Sequence, residues 1–98
     1  MYMRVQEKGK SVIVALCDRE LIGKEYCEGE LVLDLKAYAS FYKGNAVDEE
    51  EAVLALREAT SINLVGKKSV GLAKKLGLAG KDEIRKICGI PHVQVYRI

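Results

Sequence analysis

The sequence predicts an α+β domain: a small, mostly antiparallel sheet covered on one face by a long helix and a basic helix pair. Three observations point there. Two N-terminal stretches alternate like strands around short turns, a well-capped amphipathic segment starts at Asp48, and a final β-rich stretch follows Gly89-Ile90-Pro91.

Tyr2 to Glu7 and Ser11 to Cys17 read as strands joined at Lys8-Gly9-Lys10, where glycine supplies the positive φ of a tight hairpin. Val12, Val14 and Leu16 fall on one side and Ile13, Ala15 and Cys17 on the other. An element apolar on both sides belongs inside a sheet, so Cys17 is expected to be buried. Asp18 is placed to cap one helical turn, Arg19 to Ile22, ended by Gly23. Lys24 to Cys27 and Glu30 to Leu35 flank the turn Glu28-Gly29 as a second hairpin. Lys36 to Gly44, carrying Tyr38, Phe41 and Tyr42, has no clean period and reads as a loop packed over the core.

Asp48 is an N-cap with Glu51 as its capping-box partner, and Val47 before it can staple against Ala52. The acidic run Asp48 to Glu51 therefore serves the positive end of a helix. Ala52, Ala55, Leu56, Ala59, Ile62 and Asn63 continue at helical spacing, so the helix is predicted to run to Val65 and stop at Gly66. Lys67 to Leu76 forms the next helix, with Gly77 and Leu78 as a Schellman stop. A third, shorter helix is predicted from Lys81 or Asp82 to before Gly89, since Pro91 bars helical backbone at Ile90. His92 to Ile98 is the last strand, with Val93, Val95 and Ile98 on one face.

At 98 residues the chain makes one domain. Its longest apolar run, Val12 to Cys17, is far below the roughly 20 residues that span a bilayer, and no leader pattern opens the sequence. A cytoplasmic protein without membrane contact is the expectation. Cys17, Cys27 and Cys88 cannot all pair within one chain, and a core of Val, Ile and Leu needs no staple, so they read as reduced thiols. Only four Asn and Gln, no Trp, and charge supplied mostly by Lys and Glu follow the drift of heat-adapted proteins.

These segments in this order resemble a small, uncharacterised archaeal family, number 424 in the domain-of-unknown-function series. The residues that carry the resemblance are Cys17-Asp18 with Leu21 and Gly23-Lys24, Glu28-Gly29, Phe41-Tyr42-Lys43-Gly44, Asn63-Leu64-Val65-Gly66 and Gly89 to Gln94. The resemblance implies a single-domain archaeal protein of about this length and brings no catalytic residues. Cys27 and Cys88 lie outside the matching pieces.

Charge is divided along the chain. Residues 1 to 56 hold 7 Lys/Arg against 11 Asp/Glu, a balance of −4, and residues 57 to 98 hold 9 against 3, a balance of +6. A basic half implies an anionic partner. Lys67, Lys68, Lys74 and Lys75 share the outer side of one predicted helix, and Arg85 and Lys86 follow on the next; such an array neutralises phosphates without reading bases. The plainer reading is a solvated lysine face. The outline of two helices around Gly66 is that of a helix-turn-helix, yet the second helix lacks Arg, Asn or Gln for base edges, so an ordinary αα-hairpin is favoured.

Other chemistries are less supported. Cys17, Cys27, Cys88 and His92 have the composition of a Cys3His zinc shell, but no short Cys-to-Cys knuckle, and Pro91 stands between two of them; no metal and no cofactor is assigned. A small enzyme would use Cys17 activated by His92, the only histidine, with Asn63 or Asp18 orienting the imidazole. A thiol at the end of an apolar strand is usually inert. Asn63, His92 and Gln94 form a candidate polar cluster, because an amide on an apolar stripe costs about 1 to 3 kcal/mol if unpartnered. Glycines are dispersed, and no phosphate-cradling loop is present. The favoured reading is a non-enzymatic protein that contacts RNA or a ribonucleoprotein through Lys67, Lys68, Lys74, Lys75, Arg85 and Lys86. The alternatives are the Cys17 and His92 enzyme, and a protein-interaction module using the acidic half or an exposed Leu54 between Glu50 and Arg57.

Overall fold

In the computed structural model, which describes residues 1–36 and 44–96, a six-stranded sheet carries two helices on one face and a separate two-stranded sheet beside it. The six-stranded sheet is built from β1 (Tyr2–Lys8), β2 (Ser11–Cys17), β5 (Asn45–Ala46), β6 (Ser61–Val65), β7 (Arg85–Ile87) and β8 (Ile90–Tyr96). Its order is β5-β1-β2-β6-β8-β7. All its pairings are antiparallel except β2 with β6. Among the described residues, β3 (Glu25–Glu28) and β4 (Leu31–Asp34) pair only with each other. The two predicted N-terminal hairpins thus exist, but the second forms its own small sheet.

The first hairpin joins Tyr2 to Cys17 in register through Lys8 to Ser11, as the turn residues require, and β2 is enclosed between β1 and β6 with Cys17 fully buried. After β2 comes the short 3-10 turn Arg19–Leu21, in which Leu21 N–H donates to the Asp18 carbonyl; the Asp18 side chain takes no part in capping it. Helix α1 (Glu49–Glu58) starts as its sequence dictates. Asp48 accepts from Glu51 N–H at 2.9 Å, and Asp48 N–H donates to the Glu51 carboxylate at 3.5 Å. Val47 packs against the cluster that contains Ala52, consistent with the expected staple.

The long helix stops early. The chain leaves helical geometry at Ala59, and residues 61–65 form β6 instead of two more turns. The cause is non-local. Thr60 is fastened to β2 three times: its N–H donates to the Val12 carbonyl at 2.8 Å, its hydroxyl donates to the same oxygen at 3.1 Å, and Val12 N–H donates to its Oγ1 at 2.9 Å. Ser61 to Val65 then fill the slot between β2 and β8, where Ile62 and Leu64 point into the core as a strand's alternate residues do. The two helices are therefore separated by a strand, which removes both the αα-hairpin and the helix-turn-helix.

Helix α2 (Lys67–Lys75) buries Ser69, Val70, Leu72 and Ala73, the face anticipated for the core. It ends in a Schellman motif: Leu78 N–H donates to the Ala73 carbonyl at 2.9 Å and Gly77 N–H to the Lys74 carbonyl at 3.1 Å, with Gly77 at φ 73°. The third predicted helix is a 3-10 turn, Lys81–Glu83, followed by edge strand β7; only three residues separate the turn's start from Ile84, which already has extended backbone. The last strand begins two residues before His92, pairs with β6 and not with either hairpin, and turns Val93 and Val95 to the core side. Residues 37–43, with Tyr38, Phe41 and Tyr42, and Ile98 lie outside the described residues.

Val14, Leu16, Ile62, Leu64 and Val93 from one sheet face meet Ala52, Leu56 and Ala59 of α1 and its end, and Val70, Leu72 and Ala73 of α2. The small alanines allow close approach of helix to sheet. A second cluster lies on the opposite face, where Leu21, Ile22, Tyr26, Leu33 and Leu35 cover Cys17, Val65 and Ile90. No described helix is long and apolar enough to cross a membrane.

Candidate functional site

The start of α2 poses an electrostatic problem. A helix N-terminus presents four unpartnered N–H groups and a partial positive charge, and this one begins Gly66-Lys67-Lys68 with no local capping side chain and no acidic residue in its first turn. The missing anion comes from 50 residues away. Asp18, only 2% exposed at the end of β2, accepts from Lys68 N–H at 3.0 Å through Oδ2, and from Ser69 N–H at 2.8 Å and Ser69 Oγ–H at 2.7 Å through Oδ1. Asp18 N–H also donates to the Val65 carbonyl at 3.0 Å, which ties the ends of β2 and β6 together. Gly66 makes room: its φ is 108°, and a Cβ there would overlap the Asp18 carboxyl. Sequence reasoning missed this role for Asp18. The signal was an uncapped helix start carrying two lysines, which requires an anion from elsewhere in the fold.

With its N-terminus satisfied internally, α2 presents lysines outward. Lys67, Lys68, Lys74 and Lys75 are all exposed. Lys67, Lys68 and Lys75 line a surface pocket of about 310 Å³ together with Met1, Glu49, Gly71 and Leu72. Glu49 reaches Lys75 Nζ at 3.5 Å, with both side chains largely in solvent, so that pair contributes little. The Gly71 backbone is open to solvent, with nothing where a side chain would project. Arg85 and Lys86 are not on this helix. They are on edge strand β7, pointing to opposite faces, and Arg85 Nη1 donates to the Asp82 carbonyl at 2.7 Å.

The polar cluster is brought to one face. Register partners project from the same side of a sheet, so Arg4, Ala15, Asn63 and Gln94 make one row across four strands, and Tyr2, Cys17, Val65, His92 and Arg85 make the next. This face is opposite the helices. Asn63 is therefore half-buried on a strand next to Gln94, not on a helix stripe. His92, Gln94, Arg85 and Glu83 line a shallow pocket of about 300 Å³. Partial burial, and then the neighbouring Arg85 guanidinium, lower the His92 pKa from 6.5 and favour neutral imidazole.

The same rows keep Cys17 away from His92. Val65 lies between them, so their backbones are two strand spacings apart, about 10 Å. Cys17 is sealed under the second hairpin, and its Sγ donates to the Asp18 carbonyl at 3.4 Å. Burial, with the Asp18 and Glu20 carboxylates, pushes its pKa up to about 12. Such a thiol is neither exposed nor ionised, and His92 is not placed to activate it. Cys27 and Cys88 are exposed. Among the described residues no group of three or more His, Cys, Asp or Glu side chains converges as a metal site.

Between the ends of β2, β6 and β8 is a cleft of about 190 Å³ lined by Asp18, Glu20, Leu21, Gly66, Lys67, Ile90 and Pro91. Gly66 N–H donates to the Pro91 carbonyl across it at 2.8 Å. Three of the sequence pieces that carry the family resemblance meet here: Cys17-Asp18 with Leu21, the segment ending at Gly66, and Gly89 to Gln94. Their convergence has a structural cause, since Asp18, Gly66 and Pro91 together hold the start of α2 on the sheet.

Comparison with known proteins agrees with this architecture. A crystal structure of an uncharacterized conserved protein from Methanopyrus kandleri is similar to this chain with a TM-score of 0.80 and 31% identity, covering 97% of this chain and 89% of that one. No curated protein matches. The family model described as protein of unknown function (DUF424) matches residues 5–98, and the chain belongs to that family.

Proposed function

We propose that the protein is a non-enzymatic binder of RNA or a ribonucleoprotein, and that the outer face of α2 is its phosphate-contacting surface. The observation that carries this reading is the placement of Lys67, Lys68 and Lys75 around one pocket over the open Gly71 backbone. A buried internal carboxylate neutralises the helix end, so the lysine ammonium groups remain available to an outside anion. Lys74 extends the same helix face, while Arg85 and Lys86, pointing to opposite faces of edge strand β7, add positive charge on both sides of the sheet edge. Recognition by ammonium groups is through charge, so binding should be strongly salt-dependent and nearly indifferent to base sequence.

Fluorescence anisotropy with a labelled single-stranded RNA at several salt concentrations tests it. Three phosphate contacts predict a slope of log K against log salt of about −2. The variant Lys67→Glu/Lys68→Glu/Lys75→Glu should bind at least tenfold more weakly while keeping its circular dichroism and melting temperature. Equal binding by both proteins, or none by the natural one, rejects the surface.

A second reading rests on α1. Leu54 is 67% exposed in a groove of about 460 Å³ shared with Glu49, Glu50, Val53 and Arg57. A large apolar side chain framed by both charge signs fits a protein partner or a second copy of the chain. Light scattering of the natural protein and of Leu54→Ser separates the two readings: a complex lost in the variant favours this one.

A further inference from the structure

Cys27, on β3, and Cys88, in the turn between β7 and β8, are 61 residues apart in sequence and adjacent in space. The Cys88 Sγ lies 2.7 Å from the Cys27 carbonyl oxygen, and Cys88 N–H donates to the Glu28 carboxylate at 3.3 Å. Both thiols are exposed and free. With those contacts, covalent geometry limits the separation of the two Cα atoms to about 8 Å, against an upper end of about 7 Å for disulfides. Cys88 itself takes a left-handed backbone, φ 52°, the only non-glycine residue to do so among those described. That conformation turns its side chain and N–H toward the β3–β4 hairpin.

We infer that Cys27 and Cys88 form a reversible disulfide that locks the β3–β4 hairpin to the β7–β8 turn. The oxidant is a low-molecular-weight disulfide, RSSR. The Cys88 thiolate attacks one sulfur of RSSR, forming a mixed disulfide and releasing one RS⁻. The Cys27 thiolate then attacks the Cys88 sulfur of that mixed disulfide, forming the internal bond and releasing the second RS⁻. Two electrons pass from the protein thiols to RSSR, which leaves as two thiols once protonated. This order follows from Glu25. Local desolvation and then the Glu25 carboxylate, which accepts from Cys27 Sγ at 3.7 Å, raise the Cys27 pKa and disfavour it as the first nucleophile.

The lock has a structural target. Leu33 and Tyr26 of the hairpin, with Leu35 just after it, cover Cys17, Val65 and Ile90 on the sheet face away from the helices. In the reduced protein that cover is held by this packing and by the hydrogen bonds at Cys88. Oxidation would replace the contacts at Cys88 with a covalent bond closing a long loop.

The experiment treats the full chain with oxidised glutathione and follows mass and peptide linkage. The natural protein and Cys17→Ser should lose two hydrogens and yield a linked Cys27–Cys88 peptide. Cys27→Ser and Cys88→Ser should stop at a glutathione adduct. The oxidised natural protein should melt several degrees higher than the reduced one, and dithiothreitol should reverse the shift. A natural protein that stops at stable adducts on both cysteines, crosslinks between chains, or pairs Cys17 overturns the inference. So does an internal disulfide that lowers the melting temperature.

Discussion

Replacing Asp18 should reveal how α2 is held. The carboxylate is buried and accepts three hydrogen bonds at the positive end of a helix. Hydrogen bonds to a charged group contribute about 1.5 to 3 kcal/mol each in favourable cases, but Lys68 N–H lies at the helix edge and can turn to water. Asp18→Ala leaves Ser69 N–H and Oγ–H buried without an acceptor, and the cost worked from these terms is about 3 to 4 kcal/mol. Asp18→Asn keeps the shape and the Oδ1 acceptor but sets an NH₂ group against Lys68 N–H and removes the charge, for about 2 kcal/mol. Ser69→Ala removes one bond, for about 1 kcal/mol. Urea unfolding of the natural protein and the four variants, including the double variant Asp18→Ala/Ser69→Ala, gives the coupling directly, expected at about 1 kcal/mol. If Asp18→Asn costs under about 0.5 kcal/mol, or the single changes simply add, the carboxylate is not the anchor of the helix.

Four further outcomes follow from particular residues. Gly66→Ala should destabilise by about 2 to 3 kcal/mol in the same assay, because φ is 108° and Asp18 occupies the space a methyl group needs; a neutral result contradicts the close packing. After reduction and removal of the reductant, at pH 8, only Cys27 and Cys88 should react with a chromogenic disulfide reagent in the folded protein. Because folding raises the Cys17 pKa from 9.0 to about 12, the folded state holds that proton more tightly. The contribution of Cys17 to stability is then level below pH 9 and falls as pH rises toward 12, and Cys17→Ala should flatten that alkaline decline. His92 behaves oppositely. Its folded pKa is below 6.5, so the unfolded chain binds the proton better, stability is lost as pH falls below 6.5, and His92→Gln should reduce that acid loss; an unchanged acid limb in the variant would show that other groups cause it.

What could be read from the sequence was whatever is decided within a few residues. The capping box at Asp48 and Glu51, the Schellman stop at Gly77 and the turns of both hairpins are local hydrogen-bond arrangements, and each stands where its residues indicated. Ser61 to Val65 could not be assigned this way. Ile62 extends a helical stripe from Ala55 and Ala59, while Ile62 and Leu64 equally satisfy a strand. The choice was made by Thr60 bonding to Val12 and by an empty position between β2 and β8, both long-range facts. The same holds for the candidate surface. Four lysines on one helix face were evident from spacing alone, whereas the carboxylate that satisfies that helix's start is separated from it by half the chain.

The parallel pairing of β2 with β6 also sets an order of events. The β1–β2 hairpin can close on its own within microseconds, because its ends meet through a short turn. The next step cannot be local. β6 reaches its place beside β2 only after the intervening 43 residues have been carried across the sheet, and β8 has no edge to join until β6 arrives. Loop closure of that size must precede the contacts that reward it, which makes the sheet's centre the slow step of assembly. On a ribosome, which delivers β2 long before β6, the apolar edge of β2 waits unpaired until β6 has been made.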